Sequence, residues 1–321
     1  METIKHYVVK TTRTTFNLTI KTTPMQHFVY LGGKKKGCIQ IIVDRKDADE
    51  RFASFLTPSL ATLDRLDYSS LCTVDGNMIP GEGTRHMVRA AIEIIIRMFD
   101  YVKEVKLDDA SSIPCEGKGT RMLLAQYYIA MHGATWYEAQ FNANLENPIK
   151  NAEYKERVAA AFRKPIGQAF DMVFRNYVKL MPNPDELRSM YDPNMTLNEY
   201  FKKVLQSKGR VGFCDLMGPW ITSFVDKTLT EDIRINGTWV MNLGSFHQRM
   251  TLTFEPYPVG MEPEYLPILG GGSYGREEEG GLTWDDINED SGRPYQDEST
   301  LGGATANKLR KHIRRSKATI R

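Results

Sequence analysis

Residues 80–99 read PGEGTRHMVRAAIEIIIRMF, and the character of the chain changes within them. Pro80-Gly81-Glu82-Gly83-Thr84 is turn chemistry, with glycines that free the backbone for a tight bend. From Arg85 to Phe99 the period becomes helical. Arg85, Arg89, Glu93 and Arg97 recur every fourth residue, while Met87, Ala90, Ala91, Ile94, Ile95 and Met98 cover most of the rest. So narrow a polar stripe predicts a helix buried on more than one side, lying on a sheet beneath other elements. Upstream, Leu60 to Thr73 carries apolar residues at alternating positions and reads as a strand; Asp75-Gly76-Asn77 then turns the chain. Downstream, Val102 to Leu107 alternates as a strand. Strand, glycine turn, helix and strand predict a parallel pair joined by a right-handed crossover.

Working outward, the N-terminal quarter reads as four short strands, His6–Thr12, Thr15–Lys21, His27–Leu31 and Cys38–Asp44. They are rich in β-branched and aromatic residues and separated by turn residues, with three lysines at the Gly32–Gly37 tip. A second helix is expected from Arg121 to Met131, broken by His132-Gly133 and followed by the aromatic run Trp136 to Phe141. After Pro148 the pattern is mostly helical: Glu153–Arg163, Gly167–Leu180, Leu197–Gln206 and Asp215–Leu229, the third opened by a capping box of Thr196 and Glu199. Arg234–Asn242 and Gln248–Glu255 read as a closing hairpin. The fold class is therefore α/β. A mixed sheet with packed helices is expected over 1–148, a mainly helical region with that hairpin over 149–268, and an extended tail over 269–321.

Of the 321 residues, 41% are hydrophobic and 26% charged, so the chain can bury a real core without staples. No signal peptide and no membrane-spanning run is apparent, which predicts a protein that is not secreted. Cys38, Cys72, Cys115 and Cys214 are widely spaced and form no CxxC pair, so the expectation is four reduced, buried thiols. The six histidines are scattered, and no metal site is expected. Asn17-Leu18-Thr19 matches a glycosylation sequon inside a Thr-rich strand. The net charge of +2 conceals a bipolar tail: nine acidic residues between Gly270 and Ala304, then seven basic ones between Thr305 and Arg321.

Gly81, Gly83, Thr84 and Arg85 sit where a phosphate cradle would sit, between a strand and a helix N-terminus, where freed amides and the helix dipole favour an anion. The same glycines also serve a tight turn with no ligand. No Walker A loop is present, since Gly117-Lys118-Gly119-Thr120 lacks the first glycine. The order of elements resembles the GNAT superfamily of acyl-CoA-dependent N-acyltransferases. There a strand leads into Gln/Arg-x-x-Gly-x-Gly/Ala, and a later helix ends in Tyr-x-x-x-Gly-Phe. Gly81 and Gly83 match the glycine pair, and Tyr137 to Phe141 is similar to the helix ending. Met78 replaces the family's Gln or Arg, Phe141 comes one residue early, and Ile113 to Thr120 is inserted. The resemblance implies a GNAT-like mixed sheet, acetyl-CoA held at Gly81 to Arg85, and Tyr137 as the general acid. Asp108 or Asp109, at the strand end, is the candidate to polarise an amine.

As a set, GEGTRHM, LDDASSIPC, HGATWYEAQF and FCDLMGPW also resemble uncharacterised proteins of nucleocytoplasmic large DNA viruses. Two functions follow. One is a structural, minor capsid or virion-associated protein on a degenerate GNAT-like core, needing no cofactor, located in the virion or host cytoplasm. Its 270–321 tail would bind other capsid proteins, ordering on them at an entropic cost. The alternative is an acetyl-CoA-dependent N-acetyltransferase. The basic run Lys308 to Lys317 could also contact nucleic acid.

Overall fold

The computed structural model describes residues 2–34, 37–48, 56–57, 59–67, 70–76, 82–109, 112–115, 121–163, 165, 184–228, 233, 235, 237–246 and 249–258. Gly81, the helix expected over 167–180, and the tail over 269–321 with Lys308 to Lys317 lie outside them.

Four strands open the chain where alternation predicts them: β1 (Thr3–Lys10), β2 (Thr15–Thr22), β3 (Gln26–Gly32) and β4 (Gly37–Asp44). Each pairs antiparallel with the next. β5 (Leu60–Leu66) is shorter than its alternation suggests, because the chain leaves the sheet into a 3-10 turn at Ser70–Cys72. Then come α1 (Glu82–Met98) and β6 (Glu104–Asp108), and β6 pairs parallel with β5. The parallel junction expected from residues 60–107 is present.

The segment after β6 departs from expectation. β7 (Ser112–Pro114) and β8 (Arg121–Leu123) form a small separate pair, so α2 (Leu124–His132) starts later than its periodicity implies. Gly133 ends α2 with φ +76°, a left-handed conformation that glycine adopts without penalty, and its N–H returns to the Ile129 carbonyl. α3 (Trp136–Phe141), β9 (Asn144–Leu145), α4 (Pro148–Arg163) and α5 (Pro184–Ser189) follow. The two helices expected after Leu197 are present, as the two parts of α6 (Leu197–Thr228), which kinks at Gly209 with a non-helical φ of +66°. Its start carries the expected capping box, since Thr196 and Glu199 exchange backbone-to-side-chain hydrogen bonds.

The closing hairpin is not formed. β10 (Thr238–Asn242) inserts antiparallel between β6 and β9, whereas β11 (Thr253–Pro256) pairs antiparallel with β1 at the opposite edge. Among the described residues the main sheet therefore has nine strands in the order β11-β1-β2-β3-β4-β5-β6-β10-β9. It runs straight across the division expected at 148, because the later region supplies two of its strands. Alternation alone cannot say which neighbour a strand will take, and here each found an unfilled edge.

The register puts Leu18, Leu31 and Ile39 in one row across the sheet and Ile41, Leu63, Leu107 and Trp239 in another, all buried, with Phe16 two residues before Leu18 on β2 also buried. Side chains of this size contribute roughly 1.5–3 kcal/mol each when fully buried. α1 runs along this face: His86 packs on Phe16 at one end, and Phe99 packs on His27 at the other. At the far side of the sheet, Tyr154 of α4 meets Trp239 edge-on. The opposite face is polar even where it is buried, as at Asn17, Thr19 and Lys21. Asn17 is 1% exposed and donates to the Gly33 carbonyl and the Tyr257 hydroxyl, so the folded chain withholds the sequon from a glycosylating enzyme.

The cysteines correct the sequence reading. All four are oxidised, as Cys38–Cys72 and Cys115–Cys214, with Cα separations of 5.6 Å and 5.3 Å. Sequence separations of 34 and 99 residues conceal a proximity that only the sheet and α6 create. The expectation of burial holds.

Candidate functional site

The expected site lies at the start of α1, which follows β5 in the chain and meets the turn between β1 and β2. Gly83 and Thr84 form the first turn of α1, and Thr84 is 1% exposed with no hydrogen-bond partner for its hydroxyl. Glu82 is ion-paired with Arg13 of the β1–β2 turn. Its carboxylate therefore stands at the positive end of the helix dipole, where an external anion would otherwise be favoured. Arg85 donates to Gln140 Oε1 at 3.3 Å, which brings the predicted cofactor-binding turn against α3. His86 Nε2 hydrogen-bonds Thr11 Oγ1 at 2.9 Å.

The rest of the polar stripe is covered. The Arg89 guanidinium lies 5.3 Å over the Phe246 ring, a cation–π contact. Glu93, with its side chain 2% exposed, binds Arg97 Nε at 2.7 Å and has Arg249 at 3.7 Å. Arg97 also donates to the carbonyls of Met250 and Leu252, at 2.6 and 3.0 Å. The stripe is thus the seam along which the segment between β10 and β11 crosses α1.

Tyr137 is buried in an aromatic layer. Its ring meets Trp136 at 4.9 Å and Phe141 at 6.4 Å, and Phe141 stacks on Phe246, the ring beneath Arg89. Gly83, Thr84 and Arg85 thus share the first turn of α1, while Tyr137 lies in α3, the helix whose Gln140 accepts from Arg85. The two candidate acids differ. Asp108 is exposed and accepts from Thr238 across the sheet at 3.0 Å, a strand-end contact, whereas Asp109 is 2% exposed.

A buried polar cluster went unread in the sequence. Tyr154 donates to Glu138 Oε2 at 2.9 Å, and Lys155 stands 3.8 Å from Oε1. Burial pushes the Glu138 carboxyl above its ordinary range, against the opposing pull of Tyr154 and Lys155. Burial, then the Glu138 charge, pushes the Tyr154 phenol well above its ordinary value, with Asp109 adding to the same direction. Glu138 is also the third-position partner of Thr135 in a capping box. That spacing, Thr135-Trp-Tyr-Glu138, was the available signal, masked by the aromatic run around it.

Among the described residues no group of His, Cys, Asp and Glu could hold a metal ion, and no helix is long and apolar enough to cross a membrane. Fold and site together define a mixed α/β protein with one parallel junction in an otherwise antiparallel sheet. Comparison with known proteins finds no matching family model, no matching curated protein and no matching solved structure.

Proposed function

We propose that the chain is a structural, virion-associated protein of a large DNA virus, built on a GNAT-like core that no longer serves catalysis. The observation that carries the non-catalytic part is Glu82. A carboxylate paired with Arg13 stands at the mouth of α1, where a cofactor's pyrophosphate would need an open anion site. The contacts of Arg85, Arg89, Glu93 and Arg97 within the chain support the same reading. The GNAT-like part rests on the order β5, glycine turn, α1, β6 and the later helices, with β5 and β6 parallel. The virion assignment, in the particle or host cytoplasm, rests on the motif resemblance, and the partners are other capsid proteins held by the 270–321 tail.

One observation favours the second reading, an acetyl-CoA-dependent N-acetyltransferase with Tyr137 as general acid. The Thr84 hydroxyl is buried and unpaired, a group that a bound phosphate would satisfy. Calorimetric titration with acetyl-CoA, with desulfo-CoA as control, separates the two. The structural reading expects no heat at millimolar ligand from folded protein. Saturable micromolar binding that disappears in equally folded Gly83→Val overturns it. Deleting 270–321 is expected to abolish incorporation into particles, and normal incorporation refutes the role given to the tail.

A further inference from the structure

We infer that Cys38–Cys72 and Cys115–Cys214 are installed by a disulfide donor before the core closes, and that the folded chain then shields both from reducing thiols. The inference is independent of the proposed function. Cys38, Cys72 and Cys214 are each 0% exposed and Cys115 is 4% exposed, so no donor or reductant reaches a sulfur in the closed molecule. Thiol–disulfide exchange needs an in-line approach of thiolate to sulfur, which burial denies.

Both bridges sit in places shaped around them. Cys38 is the second residue of β4, and Cys72 ends the 3-10 turn that follows β5. That turn seats against Gly33 so closely that a Cβ there would stand 1.9 Å from the Leu71 carbonyl oxygen. At the other bridge, Gly218 lies one helical turn beyond Cys214. A Cβ on it would come within 3.1 Å of Cys115 Sγ. Helix interiors disfavour glycine, and here it leaves room for the cystine.

The chemistry balances as two exchange steps per bridge. A cysteine thiolate attacks one sulfur of the donor disulfide, forming a mixed disulfide and releasing a donor thiolate. The partner cysteine's thiolate then attacks the chain's own sulfur, closing the cystine and releasing the second donor thiolate. Each bridge passes two electrons and two protons to the donor, which leaves reduced. A glutathione pool poised as in a cytosol keeps thiols reduced, so the donor is an oxidising lumen's disulfide pool or a dithiol oxidase.

Alkylation followed by intact mass tests this on the full chain, with no substitution that risks misfolding. Protein from its native source, unfolded without reductant, is expected to take no label, and four labels after reduction. Reduced glutathione should open the bridges of native protein at least ~100-fold more slowly than in urea, since opening then requires unfolding. Reduced, unfolded chain is next refolded with oxidised glutathione or with a dithiol oxidase. Success with glutathione alone identifies a small-molecule donor as sufficient, and success only with the enzyme identifies a protein donor; both support the inference. Free thiols in native-source protein overturn it, as does failure of both donors. Equal reduction rates in native and unfolded protein, or closure of both bridges when a donor is added only after reduced chain has folded, overturn the ordering.

Discussion

Strands β1 to β4 stand in the sheet in the order the chain makes them, joined by short turns. β6, β10 and β9 also stand side by side, but α2 to α6 intervene between β6 and β10, and β10 arrives last to fill the gap. The first half is a local structure whose register each turn transmits. The second is assembled by long-range closure, and its security devices match: a bridge between residues 99 apart, and a segment tied across α1. Loop closure is an entropic debt that non-local pairing must settle before contacts reward it.

The largest expected effect sharpens this contrast. Cys115→Ala with Cys214→Ala releases a longer loop than Cys38→Ala with Cys72→Ala, so loop entropy alone predicts losses of about 5 and about 4 kcal/mol. Urea denaturation of the two double variants ranks them, and the reverse order would deny that the second half depends more on its bridge. Gly33→Ala attacks the first half where it is not local. Its Cβ meets backbone oxygens of Leu71 and Thr73 at 1.9 and 2.6 Å, and a loss of about 3 kcal/mol is expected, read from the denaturation midpoint.

Glu93→Gln weakens the tie over α1, removing charge from the Arg97 and Arg249 contacts at a cost of about 2 kcal/mol. Faster hydrogen exchange over 246–252, with β1–β4 unchanged, would show that the tie belongs to the second half.

Glu138 supplies a pH test. Its folded carboxyl binds its proton more tightly than the ordinary 4.5 of the unfolded chain. As pH rises through 4.5 toward the raised value, the unfolded state ionises first, so Glu138 makes stability fall over that window. Glu138→Gln keeps the capping-box geometry and should flatten this decline, measured as the urea midpoint against pH. An unchanged slope would remove Glu138 from the account. The smallest effect is expected at Lys10→Ala. Its pair with Glu255, across β1 and β11, is half exposed on both sides and should contribute under about 1 kcal/mol, screened by salt.

Much of this was legible beforehand for a definable reason. Residues 80–99 showed a helix with one narrow polar stripe, and α1 is that helix. Alternation placed β1 to β4, and Gly133 and the Thr196–Glu199 box marked helix ends. Of the candidate site, the sequence named Thr84 and Arg85 at the start of α1 and Tyr137 in the later aromatic run, but what meets them was invisible. Gln140 reaches Arg85, and Phe246 lies under Arg89 from far along the chain.

The sequence by itself determined where helices and strands form, because side-chain periodicity and capping act within a few residues. Only the tertiary structure decided that β10 and β11 part to opposite places in the sheet, that four spaced cysteines become two cystines, and that Glu82 stands at the mouth of α1 with Arg13. Each of those depends on which distant surfaces meet, and local pattern carries no information about that meeting.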